Sequence, residues 1–292
     1  MTHSREKLGL ALGIAGVLLF GGTLPATRLA VTRFDPLLLT AVRASIAGCC
    51  GVAVLLALRR PLPARKLWPH LVIAGLCTIV GFPVLMALAM AHVPAAHGGV
   101  VLGIVPLATA AAAAIVTRER PSLGFWLASA AGAGIVVVFA LREGGGGLSV
   151  GDLFLIGTVI AGAFGYALSG RLSLAMPGWE VICWQVAGFL PLSLLAAAAL
   201  WPAHFDTIGA AAWAGLAYVS LVSQFLAFFV FNAAMALIGV ARVGSLMLLQ
   251  PFVIIVLAAP VNGEPIRMET FAYATAVLAA VVIGQRMRVQ RR

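Results

Sequence analysis

The chain has 292 residues, 62% of them hydrophobic and 10% charged, and a formal net charge of +10. Soluble domains carry about 25% charged and 45–50% apolar residues, so this composition cannot clothe a water-soluble surface. That excludes an ordinary soluble enzyme and a disordered chain. It also excludes a nucleic-acid binder, because the basic residues sit in short clusters between long apolar runs, a pattern suited to anionic lipid head groups and topology signals.

In chain order, ten apolar runs reach the length of about 20 residues needed to cross a bilayer core about 30 Å thick. They cover approximately residues 8–29, 36–58, 68–90, 94–117, 122–141, 150–172, 178–200, 208–231, 240–260 and 268–286 and leave no room for a soluble domain. The first run follows Arg5 and Lys7 but is longer than a secretory h-region, so it is read as an uncleaved helix. Cys49, Cys50, Cys77 and Cys183 have neither disulfide nor zinc spacing and read as small apolar packing residues. With an even number of spans both termini share one side. That side carries fourteen Lys and Arg residues against four on the other, and Arg43 lies inside a span. The bias predicts both termini in the cytoplasm.

The two halves of the chain resemble each other. Residues 89–119 align on 234–264 with a constant offset of 145, placing Met90 on Met235, Gly99 on Gly244, Pro106 on Pro251 and Glu119 on Glu264, with ten of 31 positions identical. The glycine run 144–147 reads as a flexible linker, dividing the chain into repeats at 1–147 and 148–292. Five helices per repeat is an odd number, so the second repeat enters the membrane from the opposite side. Such an inverted repeat predicts a solute site near the midplane, between the halves.

Phe20-Gly21-Gly22, Arg28, Asp35-Pro36 and Arg43 resemble the opening of an EamA domain. So does the passage from Ala95-Ala96 through Pro106 and Glu119 to the glycines at 132 and 134, and Pro251 and Glu264 repeat part of it. The chain therefore resembles the ten-helix members of the drug/metabolite transporter superfamily, over essentially its whole length. Within that superfamily it looks most like the exporters of amino acids and related metabolites, including the YddG-type aromatic amino-acid exporters. The resemblance implies an all-α integral membrane fold, with ten helices in two inverted five-helix repeats around a central cavity. Helices 1, 3, 4, 6, 8 and 9 would line that cavity. It further implies export across a bacterial inner membrane by alternating access.

The candidate residues follow the chain. Helix 1 carries a face of Gly13, Gly16, Phe20, Thr23 and Thr27. Most of these suit close helix contact, with Thr23 the candidate for binding. Arg43 reads as a structural charge paired with Asp35 or capping carbonyls, with direct binding of a carboxylate as the other option. His92 and His97 flank the turn between helices 3 and 4 at a spacing that does not share a helical face. No metal site is expected there, and His97 is placed at the cavity mouth. Pro106 and Pro251 each remove a mid-span hydrogen bond and read as paired hinges. Helix 6 contributes Tyr166, helix 7 Trp184 and Gln185, and helix 9 Gln250 beside Pro251. On helix 8, Ser220, Ser223, Gln224, Phe228, Phe231 and Asn232 fall along one side. Gln224 and Asn232 are costly to present to lipid and, with Phe228, suit a solute with a polar head and an apolar tail. Glu119 and Glu264 read as residues closing helices 4 and 9.

No Asp or Glu falls in the central third of any span, so the expectation is a facilitator rather than a carrier coupled through a buried acid. No cofactor is expected. The expected partners are a small-molecule substrate and the lipid bilayer, with the chain a monomer or weak homo-oligomer. Two other readings stay open: a carrier of drugs, nucleobases or other metabolites on the same fold, proton-coupled or not, and a polytopic membrane enzyme or structural subunit. No H-E-x-x-H, G-x-S-x-G or paired carboxylates support the enzyme.

Overall fold

The structure is a computed structural model. It describes residues 2–117, 122–143, 147–202, 208–238 and 246–287, without the side chains of residues 2–4, Thr117, Asn232, Met235, Ala236 and Gln285. Glu119, Gly244 and the Asn232 side chain, all singled out above, lie outside the described residues.

All regular structure among the described residues is helical. Eight helices are long and apolar enough to cross a membrane: α1 (Arg5–Val31), α2 (Pro36–Ala57), α3 (Arg65–His92), α4 (Ala95–Val116), α5 (Leu123–Glu143), α6 (Val150–Leu172), α7 (Gly178–Ala199) and α8 (Ala210–Phe231). Two shorter apolar helices follow, α9 (Met247–Asn262) and α10 (Met268–Gly284). The start expected for the ninth run, at residue 240, falls outside the described residues.

Local chemistry sets the helix ends. Asp35 caps α2, its Oδ1 accepting from the amides of Leu37 and Leu38 at 2.9 and 3.0 Å, with Pro36 opening the first turn. Ser149 and Asp152 form a capping box at the start of α6. Gly263 ends α9 in the left-handed region at φ 68°, where a side chain would be strained.

Five helices are interrupted, α1 by a turn at Gly22 and four others as follows. α3 widens to a π-helix over Leu76–Gly81, and α8 does so over Tyr218–Leu226. α4 tightens at Gly103 and Ile104, whose amides reach Val100 and Val101 carbonyls at 3.1 and 3.3 Å, and resumes at Val105. In α9 the chain is helical at Leu246, tightens to a 3-10 turn over Met247–Leu249 and is α-helical again from Gln250. Pro106 and Pro251 thus stand in the first turn of a resumed helix, where a missing N–H costs little, rather than as kinks within an unbroken one. The two breaks touch. A Cβ on Gly103 would lie 3.2 Å from Pro251 Cγ, and one on Gly99 would lie 2.8 Å from Ile254 Cγ2. α4 and α9 approach this closely because neither glycine has a side chain.

The buried core centres on Leu24, Met86, Met90, Leu155 and Ile254, drawn from α1, α3, α6 and α9. Ile73, Leu76 and Ile160 are about half exposed on the outer surface, as expected of side chains that face lipid rather than water.

Candidate functional site

A cavity of about 60 Å³, room for a few water molecules, lies where the interrupted helices meet. Its polar lining comes from Thr23 on α1, Arg43 on α2, Thr78 on α3, Tyr166 on α6, Ser223 and Gln224 on α8, and Gln250 on α9. Phe20, Phe82 and Phe228 supply aromatic walls, and Leu24, Met86, Leu102 and Ile182 complete it. The lining therefore includes the six expected helices together with α2 and α7.

Both π segments deliver a hydroxyl to this point, Thr78 from α3 and Ser223 from α8. A π turn adds a residue to the helical repeat and shifts the side chains beyond it around the axis, which is why such turns recur at functional sites.

Some lining groups already hold one another. The hydroxyls of Thr23 and Ser223 are 2.7 Å apart. Thr78 Oγ1 donates to Gln185 Oε1 at 3.1 Å, and Gln185 Nε2 donates to Ser169 Oγ at 3.0 Å. Gln185 is thus a bridge joining α3, α6 and α7, set behind the cavity wall. Phe20 meets Phe228 edge-on at 5.0 Å, and Phe82 tilts against Tyr166 at 5.9 Å.

Arg43 is different. It is only 6% exposed, and its Nε has no hydrogen-bond partner among the described residues. The expected pairing with Asp35 does not form, because that carboxylate is held by amides at the start of its own helix. Arg43 instead lines the cavity together with Tyr166, itself 38% exposed. Gln224 is only 4% exposed and also lines the cavity.

Of the expected site residues, Thr23, Tyr166, Gln224, Phe228 and Gln250 meet around one cavity. Trp184 stands apart, edge-on to Trp68 at 6.4 Å near the end of the bundle. His97 also lies away from the lining. Its Nε2 is 2.7 Å from Asp152 Oδ1 in a buried pair, and its ring tilts on Phe139 at 4.9 Å. Glu264 does more than close α9. It accepts from the amides of Ala95 and Ala96 at 2.7 and 2.9 Å and so caps α4. Arg28 on α1 holds Glu264 at 3.4 Å and donates to the carbonyls of Met90 and Val93 at 2.6 Å each. Among the described residues, no group of three or more His, Cys, Asp or Glu is placed to hold a metal ion.

Sequence reasoning missed Phe20 and Phe82 as cavity walls, and the lining role of Thr78. One signal was present: the offset of 145 that joins the later segments also carries Thr78 onto Ser223.

The model of the EamA-like transporter family matches residues 7–141 and again residues 149–284. The chain belongs to the EamA-like transporter family. A protein of Bacillus subtilis (strain 168) described as "Uncharacterized transporter YdeK" is 40% identical over 274 residues, covering 94% of this chain and 96% of that one. A protein of known crystal structure, 23% identical, covers 96% of this chain and 99% of its own at a TM-score of 0.62, a likeness of fold alone. This EamA-like transporter is a multi-pass membrane protein, and the cavity is its candidate cargo site.

Proposed function

We propose that this EamA-like transporter exports amino acids, aromatic ones included, and related small carboxylates across a bacterial inner membrane. The observation that carries the reading is Arg43 on the cavity wall, whose buried Nε has no hydrogen-bond partner among the described residues. A buried cation without a partner is costly, and a carboxylate offers it two parallel charge-assisted hydrogen bonds. The amide oxygens of Gln224 and Gln250 and the hydroxyl of Tyr166 can receive an ammonium group, while Phe20, Phe82 and Phe228 suit an apolar or aromatic tail. Arg43 is thus assigned to the cargo rather than to a structural ion pair. The described lining contains no carboxylate, which counts against an organic cation as cargo.

The fold proposed for this transport is ten helices in two inverted repeats, 1–147 and 148–292, with both termini in the cytoplasm. Support comes from the mirrored π segments in α3 and α8 and the paired breaks before Pro106 and Pro251. The charge bias of the loops supports the orientation. A cavity of about 60 Å³ admits a solute of amino-acid size only if the helices part, which is the movement alternating access requires. The touching breaks of α4 and α9 are the proposed hinge.

Solute counterflow in proteoliposomes, run against amino acids, nucleobases and organic cations, tests the reading. Exchange of amino acids is expected, and exchange confined to nucleobases or cations would overturn it.

A further inference from the structure

A second cavity, of about 220 Å³, opens at the end of the bundle where α3 begins and α6 ends. Lys66, His70 and Arg171 line it with Leu67 and Leu172, and among the described residues no carboxylate faces it. The nearby acid is already engaged, since Glu180 holds Arg60 at 2.6 Å. α3 also starts there without a side-chain cap, so its free amides add positive potential.

The surroundings belong to a membrane interface. Trp68 and Trp184 pack beside this end, as aromatic residues do at head-group depth. Below the cations run two apolar stripes. On α3, Lys66 and His70 share a face with Ile73, which is 51% exposed. On α6, Arg171 stands in line with Phe164 and Ile160, which are 36% and 54% exposed. A cationic cradle set over two outward apolar stripes on adjacent helices matches a molecule with an anionic head and long hydrocarbon chains.

We propose that Lys66, His70 and Arg171 form a binding site for the phosphate of an anionic glycerophospholipid, whose acyl chains lie along α3 and α6. Basic pockets between membrane helices recognise lipid phosphates in this way. The lipid would tie the ends of two helices that also line the cargo cavity.

Quenching of tryptophan fluorescence by brominated lipids tests the site, using the full chain in micelles. Brominated phosphatidylglycerol should quench at much lower mole fraction than brominated phosphatidylcholine, because Trp68 and Trp184 adjoin the pocket. The double variant Lys66→Gln with Arg171→Gln should raise the phosphatidylglycerol needed for half quenching by roughly 10- to 30-fold. The charge-conserving pair Lys66→Arg with Arg171→Lys should restore it, and Arg5→Gln with Lys7→Gln should leave it unchanged. Equal quenching by the two lipids, or an unaltered double variant, would overturn the proposal. Relief of quenching by millimolar inorganic phosphate would overturn the lipid assignment and make the ligand a free anion.

Discussion

At the scale of single residues, Arg43 carries the proposed assignment of the cargo. Its sequence position marked it as a charge inside a span, but its partner was not legible, because Asp35 could serve either the arginine or its own helix. Two backbone amides hold Oδ1 of Asp35, and Arg43, about two helical turns further on, lines the cavity instead. Replacing it by Gln removes about 1.5–3 kcal/mol of charge-assisted hydrogen bonding to a carboxylate, so Arg43→Gln should weaken amino-acid binding roughly 10- to 150-fold. Half-saturating concentrations in counterflow measure this. The polar residues of helix 7 show the limit of reading side chains from a span alone. Gln185 needed a partner inside the membrane, and only the packed bundle shows that Thr78 and Ser169 provide it. His97 likewise spends its ring on Asp152, a pair joined across 55 residues that no local pattern announces. Asp152→Asn should lower thermal stability by about 1–3 kcal/mol, since it weakens both the capping box and the buried pair. The melting temperature of the purified protein reads this directly.

At the scale of helices, where each apolar run starts and stops was legible, because length and hydropathy suffice to mark a span and Pro, Gly and Asp mark its ends. The expected 150–172 and the observed Val150–Leu172 coincide, and the other long helices differ from expectation by a few residues. The π segments were not legible, since widening a turn leaves the composition of the run unchanged. The proline breaks were half legible. The prolines were identified, but the turn that precedes Pro106 depends on Gly103 and on the approach of Pro251. Gly99→Leu should abolish transport, because its side chain would occupy space held by Ile254, whereas Gly99→Ala should be milder. Counterflow on variants that remain monodisperse checks this. Glu264 ties α9 to the start of α4 and to Arg28 on α1. Its ion pair is partly exposed and contributes little, so the cap dominates. Glu264→Gln should therefore cost about 1–2 kcal/mol, seen as a melting temperature a few degrees lower.

At the scale of the whole molecule, the family was legible because composition, span number and the proline–glutamate pattern all agree with it. The cargo was less so, since a cavity's chemistry depends on which polar groups remain unpaired after folding. The low charge of the chain leaves the described cavity lining with a cation and no acid. The proposed transporter is accordingly a facilitator, and a pH gradient imposed on proteoliposomes should drive no concentrative uptake. Accumulation that collapses with a protonophore would contradict it. The central claim is that Arg43 and its neighbours hold a carboxylate. The most direct test compares counterflow of an aromatic amino acid with that of the amine that differs from it only in lacking the carboxyl group. The account predicts exchange of the amino acid and little or none of the amine, with the difference lost in Arg43→Gln; equal exchange of both by the unaltered protein would contradict it.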